Sequence, residues 1–388
     1  MKDWKPQHYR RAPGASKVSI PVLAAAIATS EKTVAVHPSL PPILTLKHLA
    51  HLTGVPYKHL RDYVSRDTEA YKIFRVRKRA RPGTPTSFRV ICVPPPSLAI
   101  AQKWIAQHVL AKAKPHPAST AFAPDCRLVD AAKPHCASRW LIKVDVQRFF
   151  ESISEIDCYR VFRRLGYQPL VSLELSRLCT RVGRFNGMRH GIKWRRKASI
   201  KKSKIVRYAL LRLGHLPQGA ATSPMLANLV MRDADELLTS MADQLGMTYT
   251  RYADDLTFST ASPVFERQTV RRVINEIYQV LRRYGLTPNL AKTTIVPPRS
   301  RKIVLGLQVD QDEPRLTRAF KMKMRMHLHY LEREDVGPLK HAERRGFSAV
   351  AGMRNHLMGL AAYANQIEPA YGRGLKDRLE KLDWPVLY

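Results

Sequence analysis

Three aspartates lie at the ends of apolar, strand-like segments, and their type and placement suit metal-dependent phosphoryl chemistry. Asp145 closes the segment 141–146, and Asp254 and Asp255 connect two short β-type runs between residues 247 and 259. Synthesis of a phosphodiester bond needs an activated hydroxyl and a neutralised leaving group, which two divalent ions about 4 Å apart supply when carboxylates hold them. A solvated turn is the alternative for the tandem pair, because Asp favours turns. The additional acid Asp145 favours the metal site.

The charge of the chain indicates a polyanionic partner. It has 388 residues with 66 Lys+Arg against 31 Asp+Glu, a formal net charge of +35. A folded body with this excess repels itself unless a polyanion neutralises it, so nucleic acid is the expected partner. An anionic membrane surface is the weaker alternative, because the basic residues are spread along the chain instead of lying on one amphipathic helix.

The cysteines and the hydropathy indicate a protein of a reducing compartment with no membrane partner. The five cysteines are scattered without CxxC spacing, which predicts free thiols. No segment approaches the ~18 consecutive apolar residues of a membrane span. We therefore expect a cytoplasmic protein.

Hydrophobic periodicity predicts the elements that position the three acids. Residues 1–44 are basic with little periodicity and are interpreted as an arm whose order the sequence does not decide. Two short helices are predicted between residues 44 and 66 around Gly54, and a basic β-hairpin at 71–79 and 88–93. Helices are further predicted at about 98–112, 224–244 and 266–284, with a strand pair at about 292–310 and mainly helices after it. These elements predict an α+β fold.

Four sequence blocks resemble those of reverse transcriptases. The string Tyr252-Ala253-Asp254-Asp255 resembles their YxDD box, and residues 144–153 resemble the first block of their palm. Residues 216–224 with Asn228 resemble the LPQG-xxxSP block, and residues 285–289 with Lys292 and Thr293 resemble the block after the active site. The resemblance covers about residues 45–388 in the order of the family.

This resemblance implies a right-hand polymerase with a mostly helical C-terminal thumb. The arm would occupy residues 1–44, and the N-terminal helices and fingers residues 45–138. The palm would occupy residues 139–312, with a basic insertion at about 166–215, and the thumb residues 313–388. The activity implied is RNA-directed DNA synthesis from dNTPs, with two Mg²⁺ (or Mn²⁺) held by Asp145, Asp254 and Asp255.

Two further blocks resemble those of retron reverse transcriptases in part. Their NAxxH block corresponds to residues 131–135, where Ala131 replaces the Asn, and their VTG block corresponds to residues 304–306, where Leu305 replaces the Thr. The retron resemblance implies priming from a 2′-hydroxyl of a structured non-coding RNA, an RNA-linked single-stranded DNA product (msDNA), and antiphage defence with a separate effector protein.

The resemblance also implies roles around the incoming nucleotide. An aromatic residue after Asp145 would exclude the 2′-hydroxyl of ribonucleotides. Strand alternation favours Phe149, which would share a face with Asp145, whereas the family pattern favours Phe150, which we adopt. The other nucleotide-binding residues implied are Arg89 with Lys78 or Arg77 as its basic companion, Gln218, Gly219, and Lys292 as the acid that protonates pyrophosphate.

For the nucleic acid, the resemblance implies contacts from Tyr252 near the primer terminus and from His135 to template RNA. Arg354 and the other cations of the C-terminal helices would bind phosphates of the template–primer duplex. The alternatives for His135 and Tyr252 are structural packing roles.

Two other functions compete with the retron interpretation. One is a different defence-associated or group II intron-like reverse transcriptase with other priming. The other is a catalytically idle RNA-binding scaffold, against which the three intact aspartates argue.

Overall fold

The N-terminal part of the protein is a group of helices beside a two-stranded hairpin. The computed structural model describes residues 19–66, 71–77, 88–122, 126–183, 208 and 212–385. In chain order this part contains α1 (Ile20–Val36), α2 (Leu46–Thr53), α3 (Tyr57–Ser65), β1 (Lys72–Arg77), β2 (Phe88–Val93) and α4 (Pro96–His108). The Thr45 side chain accepts a hydrogen bond from the His48 amide to begin α2, which ends at Gly54 with φ +69°. The predicted helix break at Gly54 and the predicted hairpin are confirmed.

The segment from residue 19 to 44 differs from the expected basic arm of little periodicity. Helix α1 is packed on the body, with Ile27, Ser30 and Thr33 buried. Its C-terminal half lies against Gly166, where an added Cβ would come within 2.6 Å of the Lys32 carbonyl oxygen. This part of the arm is therefore an ordered component of the fold, whereas residues 1–18 lie outside the described residues.

An antiparallel five-stranded sheet forms the centre of the molecule. Its strands are β3 (Trp140–Gln147), β4 (Thr248–Tyr252), β5 (Asp255–Thr260), β6 (Thr287–Pro288) and β7 (Thr294–Val296). The spatial order is β4–β5–β3–β6, and β7 pairs with the beginning of β3. Strand β3 carries Leu141, Ile142, Val144 and Val146, all buried, because neighbouring strands pair with both of its edges and other elements pack on the faces of the sheet.

Helices cover this sheet and hold the strands in place. In chain order they are α5 (Leu128–Ala132), the one-turn α6 (Phe149–Ser152), α7 (Glu155–Arg164), α8 (Pro169–Cys179), α9 (Ser223–Gln244) and α10 (Arg267–Arg283). The predicted helices at 224–244 and 266–284 correspond to α9 and α10. Ser154 begins α7 with a capping box to Asp157.

Part of the expected basic insertion at 166–215 belongs to the main core. Helix α8 buries Leu175, Leu178 and Cys179 completely. Its Arg177 forms a buried ion pair with Glu155, with Nε 3.0 Å from Oε1. The most basic part of the expected insertion lies outside the described residues.

The C-terminal part is a helical unit with its own core, as predicted for the thumb. A small three-stranded sheet precedes it, formed by β8 (Ile303–Val304), β9 (Leu307–Gln308) and β10 (Arg315–Leu316). The helices are α11 (Arg318–Leu331), α12 (Gly337–Arg344), α13 (Val350–Ile367) and α14 (Pro369–Glu380). Met324, Leu328, Met353 and Leu357 lie at the centre of this second core.

The structure also gives the pairing of the thiols and the hydropathy of the helices. None of the five cysteines, all within the described residues, forms a disulfide. Within the part of the chain that the structure describes, no helix is both long and apolar enough to cross a membrane.

Candidate active site

The tandem acids lie on a two-residue hairpin turn beside the central strand. Tyr252 pairs with Asp255 across the turn, which leaves Ala253 and Asp254 at its tip. Ala253 has φ +56°, a conformation that favours glycine. The Val146 amide donates to the Asp254 carbonyl at 3.0 Å, and Asp145 lies directly opposite Asp255 in the β3–β5 register. The sheet thus brings the three predicted acids together.

Asp145 is held by two side chains from the segment after α10. Asn289 Nδ2 donates to its Oδ1 at 2.8 Å, and Lys292 Nζ donates to its Oδ2 at 2.8 Å. The Asn289 amide also donates to the Asp145 carbonyl at 2.7 Å. Lys292 keeps 58% of its side chain exposed, so it can move away from the carboxylate. Asn289 is a site residue to which the sequence reasoning gave no role, although it lies in a recognised block.

The electrostatics of the turn favour a bound cation. Burial raises the pKa of Asp254, and the neighbouring charges of Asp255 and Asp145 raise it further. Burial also raises the pKa of Asp255, an effect that the charge of Asp145 reinforces and Lys143 opposes. A divalent ion would relieve both the desolvation and the repulsion, and carboxylate oxygens are its preferred ligands. The donor set therefore fits a divalent metal.

The three carboxylates are not arranged as a complete coordination shell. Among the described residues, no group of three or more His, Cys, Asp or Glu side chains could hold a metal ion as it stands. Asp145 instead bonds Asn289 and Lys292. A metal ion at Asp145 would therefore compete with the Lys292 ammonium for the carboxylate.

A buried polar network contacts the backbone of the Asp254-Asp255 turn and holds it in place. Arg251 is fully buried and bonds both oxygens of Asp235, at 2.8 and 2.6 Å. Its Nη1 donates to the Ala253 carbonyl and to Asn228 Oδ1, each at 3.1 Å. The network thus holds Ala253, the strained residue of the Asp254-Asp255 turn. Sequence reasoning missed it, although a charged residue within an apolar strand needs a buried partner.

The two candidate gate aromatics have different environments. Strand β3 ends at Gln147 and Arg148 has φ +48°, so the alternation that favoured Phe149 stops before reaching it. Phe149 is 3% exposed and lies under the Arg251 guanidinium at 5.9 Å. Phe150 is partly exposed beside it, with the ring centroids 5.5 Å apart. Phe149 is thus a core residue, and Phe150 is free to meet a ligand.

The Gln218-Gly219 turn abuts the finger hairpin. The Cys92 amide of β2 donates to the Gln218 carbonyl at 2.8 Å. Gly219 has φ +121°, and an added Cβ would lie 2.8 Å from the Cys92 carbonyl oxygen. A glycine is therefore required here by the close approach of β2, in addition to any approach of a nucleotide.

The candidate phosphate-binding cations of the hairpin are only partly described. Arg89 is exposed and pairs with Val76, whereas Arg77 pairs with Phe88. Neighbouring pairs alternate between the faces of a hairpin, so Arg77 and Arg89 project from opposite faces. This contradicts Arg77 as the companion of Arg89, and Lys78 lies outside the described residues.

His135 is placed differently from the expectation that it contacts RNA. It is fully buried, with Nδ1 2.7 Å from Ser259 Oγ and Nε2 2.7 Å from Thr250 Oγ1. Burial lowers its pKa to about 4. Because the ring is inaccessible and both nitrogens are engaged, His135 bridges β4 and β5 as a structural residue.

The remaining predicted residues lie on accessible surfaces. Tyr252 is partly buried, next to the Asp254-Asp255 turn, and Arg354 is exposed on α13. Leu305 and Gly306, of the block that resembles VTG, form the tight β8–β9 turn with φ +49° and +84°.

Comparison with known proteins gives the family. The model described as "Reverse transcriptase (RNA-dependent DNA polymerase)" matches residues 76–309. Retron Ec86 reverse transcriptase of Escherichia coli is 27% identical over 340 residues, covering 86% of this chain and 92% of that protein. Retron Mx162 reverse transcriptase of Myxococcus xanthus is 29% identical over 312 residues, covering 76% of this chain and 59% of that protein.

A solved structure of telomerase from Candida albicans aligns with 82% of this chain at 13% identity and a TM-score of 0.39, too low to add to the assignment. The family model alone spans more than half of the chain, including the second strand of the hairpin, the five-stranded sheet and the three aspartates. The chain therefore belongs to the reverse transcriptase family and is an RNA-directed DNA polymerase with a right-hand fold of fingers, palm and thumb.

Proposed function

We propose that this polymerase is of retron type and synthesises RNA-linked single-stranded DNA from its own structured non-coding RNA. The observation that carries the proposal is the similarity to Retron Ec86 reverse transcriptase over 92% of that protein's length. Priming would use a 2′-hydroxyl of the RNA, and the product would be msDNA. The system would act in antiphage defence in the bacterial cytoplasm, with a separate effector protein.

Asp145, Asp254 and Asp255 would hold two Mg²⁺, with Mn²⁺ as a substitute. These ions would activate the attacking hydroxyl and neutralise the leaving pyrophosphate. The adjacent positions of Asp145 and Asp255 across β3 and β5 support this role. Asn289 would orient Asp145 through its 2.8 Å hydrogen bond. Lys292, released from Asp145, would donate the Nζ proton to pyrophosphate.

The incoming dNTP would lie between the hairpin and the palm. Arg89 and Lys78 would bind its triphosphate, since basic side chains suit phosphate oxygens. Phe150 would exclude the 2′-hydroxyl, and Gln218 with Gly219 would contact the nucleotide and template. Tyr252 would lie at the primer terminus, and Arg354 would bind a backbone phosphate of the duplex. The partial exposure of Phe150 and Tyr252 and the exposure of Arg89 and Arg354 support these roles.

Incorporation of labelled dNTPs on an RNA template with an annealed DNA primer tests the catalytic assignment. The double variant Asp254→Ala/Asp255→Ala should lose incorporation by several orders of magnitude, because the ions lose two ligands. Asp243→Ala, an exposed acid on α9, is the matched control and should retain it. Equal incorporation by the wild type and the double variant would refute the mechanism, and no incorporation by either protein would favour an RNA-binding scaffold.

Nucleic acid that copurifies with the protein tests the retron assignment. A 2′–5′ branch at an RNA–DNA junction, detected by its release with debranching enzyme, is the expected result. A linear or protein-linked DNA would instead identify a different defence-associated or group II intron-like reverse transcriptase, with the polymerase assignment intact.

A further inference from the structure

Phe122 is an exposed aromatic residue in an unfavourable backbone conformation. Its side chain is 44% exposed, and its φ of +63° lies in the left-handed region that favours glycine. At this exposure, burial of the Phe122 side chain contributes little to stability. The side chain also has no hydrogen-bonding group that could offset the backbone strain. Strain of this kind persists where the surrounding structure imposes it, and it concentrates at functional sites.

The segment that carries Phe122 is fixed to the strand of the catalytic turn. The Arg251 amide donates to the Ala118 carbonyl at 2.7 Å, and the Thr120 amide donates to the Arg251 carbonyl at 2.8 Å. Asn228 Nδ2, part of the buried network under the turn, donates to the Ala121 carbonyl at 2.6 Å. Three hydrogen bonds in succession thus set the position of Phe122 relative to Asp254 and Asp255.

The Phe122 ring lies against the candidate gate. Its centroid is 6.4 Å from that of Phe150 and also 6.4 Å from that of Tyr252. Phe150 has Phe149 as its other aromatic neighbour, at 5.5 Å. Phe149 is immobilised by burial, so Phe150 has an immobile ring on one side and the Phe122 ring as a second contact.

We propose that Phe122 is a positioning residue that fixes the orientation of Phe150 and thereby sets the discrimination between deoxyribonucleotides and ribonucleotides. The proposal rests on the gate role of Phe150 in the proposed function. A gate that distinguishes one hydroxyl group must keep its ring from rotating away, and a partly exposed ring has that freedom unless a neighbour restricts it. The backbone strain at Phe122 places the restricting ring where Phe150 needs it.

A double-mutant cycle tests the proposal, with the ratio of kcat/KM for a dNTP to that for the matching rNTP as the readout. The substrate is an RNA template with an annealed DNA primer. Phe122→Ala should lower the ratio about two- to tenfold, the range of a single aromatic pair contact, mainly by improving use of the rNTP. Phe122→Tyr keeps the ring and should therefore keep the wild-type ratio. In the Phe150→Ala background, Phe122→Ala should have no further effect, because the residue through which it acts is absent.

The outcomes separate this inference from the gate assignment. If Phe150→Ala changes the ratio and Phe122→Ala does not, the positioning role is wrong and the gate stands. If Phe150→Ala leaves the ratio unchanged, the gate assignment itself is wrong. Additive effects in the double variant would also overturn the inference, since Phe122 would then act independently.

Two further variants control for folding. Phe122→Gly removes the ring and relieves the backbone strain. It should therefore lower the ratio as Phe122→Ala does, and it should be at least as stable as the Phe122→Ala protein. A normal ratio in a folded Phe122→Gly protein would overturn the inference. Tyr57→Ala, at an aromatic residue of α3 with 41% exposure, should leave the ratio as in the wild type.

Discussion

The proposed metal-binding role of Asp254 and Asp255 comes with a cost in stability. Burial raises the pKa values of Asp254 and Asp255, and repulsion from neighbouring aspartates, Asp255 and Asp145 for the first and Asp145 for the second, raises them further. A carboxyl group whose pKa is higher in the folded state binds protons more strongly there than in the unfolded chain. Its ionised form therefore destabilises the fold above the raised pKa, and the cost disappears as the pH falls towards the ordinary Asp value of about 3.9.

Asp254→Asn should therefore stabilise the metal-free protein at neutral pH, by about 0.5–2 kcal/mol. The amide has the same shape without the charge, so desolvation and repulsion both decrease. The gain should shrink as the pH is lowered from neutral towards the ordinary Asp value of about 3.9, because the wild-type carboxyl then becomes protonated. Thermal unfolding across this pH range, without divalent ions, measures the effect.

The exposed Asp243 on α9 provides the control. Asp243→Asn should change the free energy of unfolding by less than about 0.5 kcal/mol. Added Mg²⁺ should raise the unfolding temperature of the wild type more than that of Asp254→Asn, since the variant lacks a ligand. A destabilised Asp254→Asn protein, or a gain that grows as the pH falls, would contradict this electrostatic interpretation.

At the scale of elements, the attachment of α1 to the body depends on a glycine in another part of the chain. Gly166, after α7, has φ +88°, and an added Cβ would lie 2.6 Å from the Lys32 carbonyl oxygen and 2.9 Å from Thr33 Cα. Both neighbours are backbone atoms of α1 and cannot rotate away. A side chain at residue 166 must therefore displace the helix.

Gly166→Ala should lower the free energy of unfolding by about 1–3 kcal/mol more than a glycine substitution without a clash. Gly246→Ala is the matched control, because Gly246 has φ +60° with nothing within 4 Å of an added Cβ. Denaturant unfolding measures the difference, and limited proteolysis should cut within residues 19–44 sooner in Gly166→Ala. Equal costs for the two variants would mean that α1 is not held at Gly166.

Elements with a strong local pattern were predictable from the sequence, whereas their long-range contacts were not. The helices at 224–244 and 266–284 and the hairpin carry their own periodicity. Helix α1 was missed because its buried positions are defined by Gly166, 133 residues from Thr33.

The same distinction applies to the site. The three aspartates and Phe150 belong to local blocks that the sequence displays. The interactions of Arg251 with Asp235 and of Asn289 with Asp145 arise only when strands and helices pack. His135 was assigned to RNA because its burial between β4 and β5 cannot be read from neighbouring residues.

At the scale of the whole molecule, the net charge of +35 determines how the enzyme holds nucleic acid. Each phosphate contact releases condensed counterions, so affinity for single-stranded RNA falls with salt by a log–log slope of about −0.7 for each phosphate neutralised. The core of the palm contributes little to this attraction, since buried Arg251 and Arg177 are paired with Asp235 and Glu155. The exposed cations of the fingers and thumb should dominate it.

Arg354, exposed on α13, should contribute one such contact to a template–primer duplex. Arg354→Gln should weaken binding about equally for duplexes of unrelated sequence and reduce the magnitude of the salt slope by roughly 0.7–0.9, because a phosphate contact carries no sequence information.

Arg333→Gln makes the same change of net charge in the thumb. Its guanidinium already bonds Asp335, at 2.8 and 2.6 Å, so this variant should keep the wild-type slope. Fluorescence anisotropy at several salt concentrations distinguishes the two, and identical slopes for both variants would show that the thumb acts through its total charge instead of through Arg354.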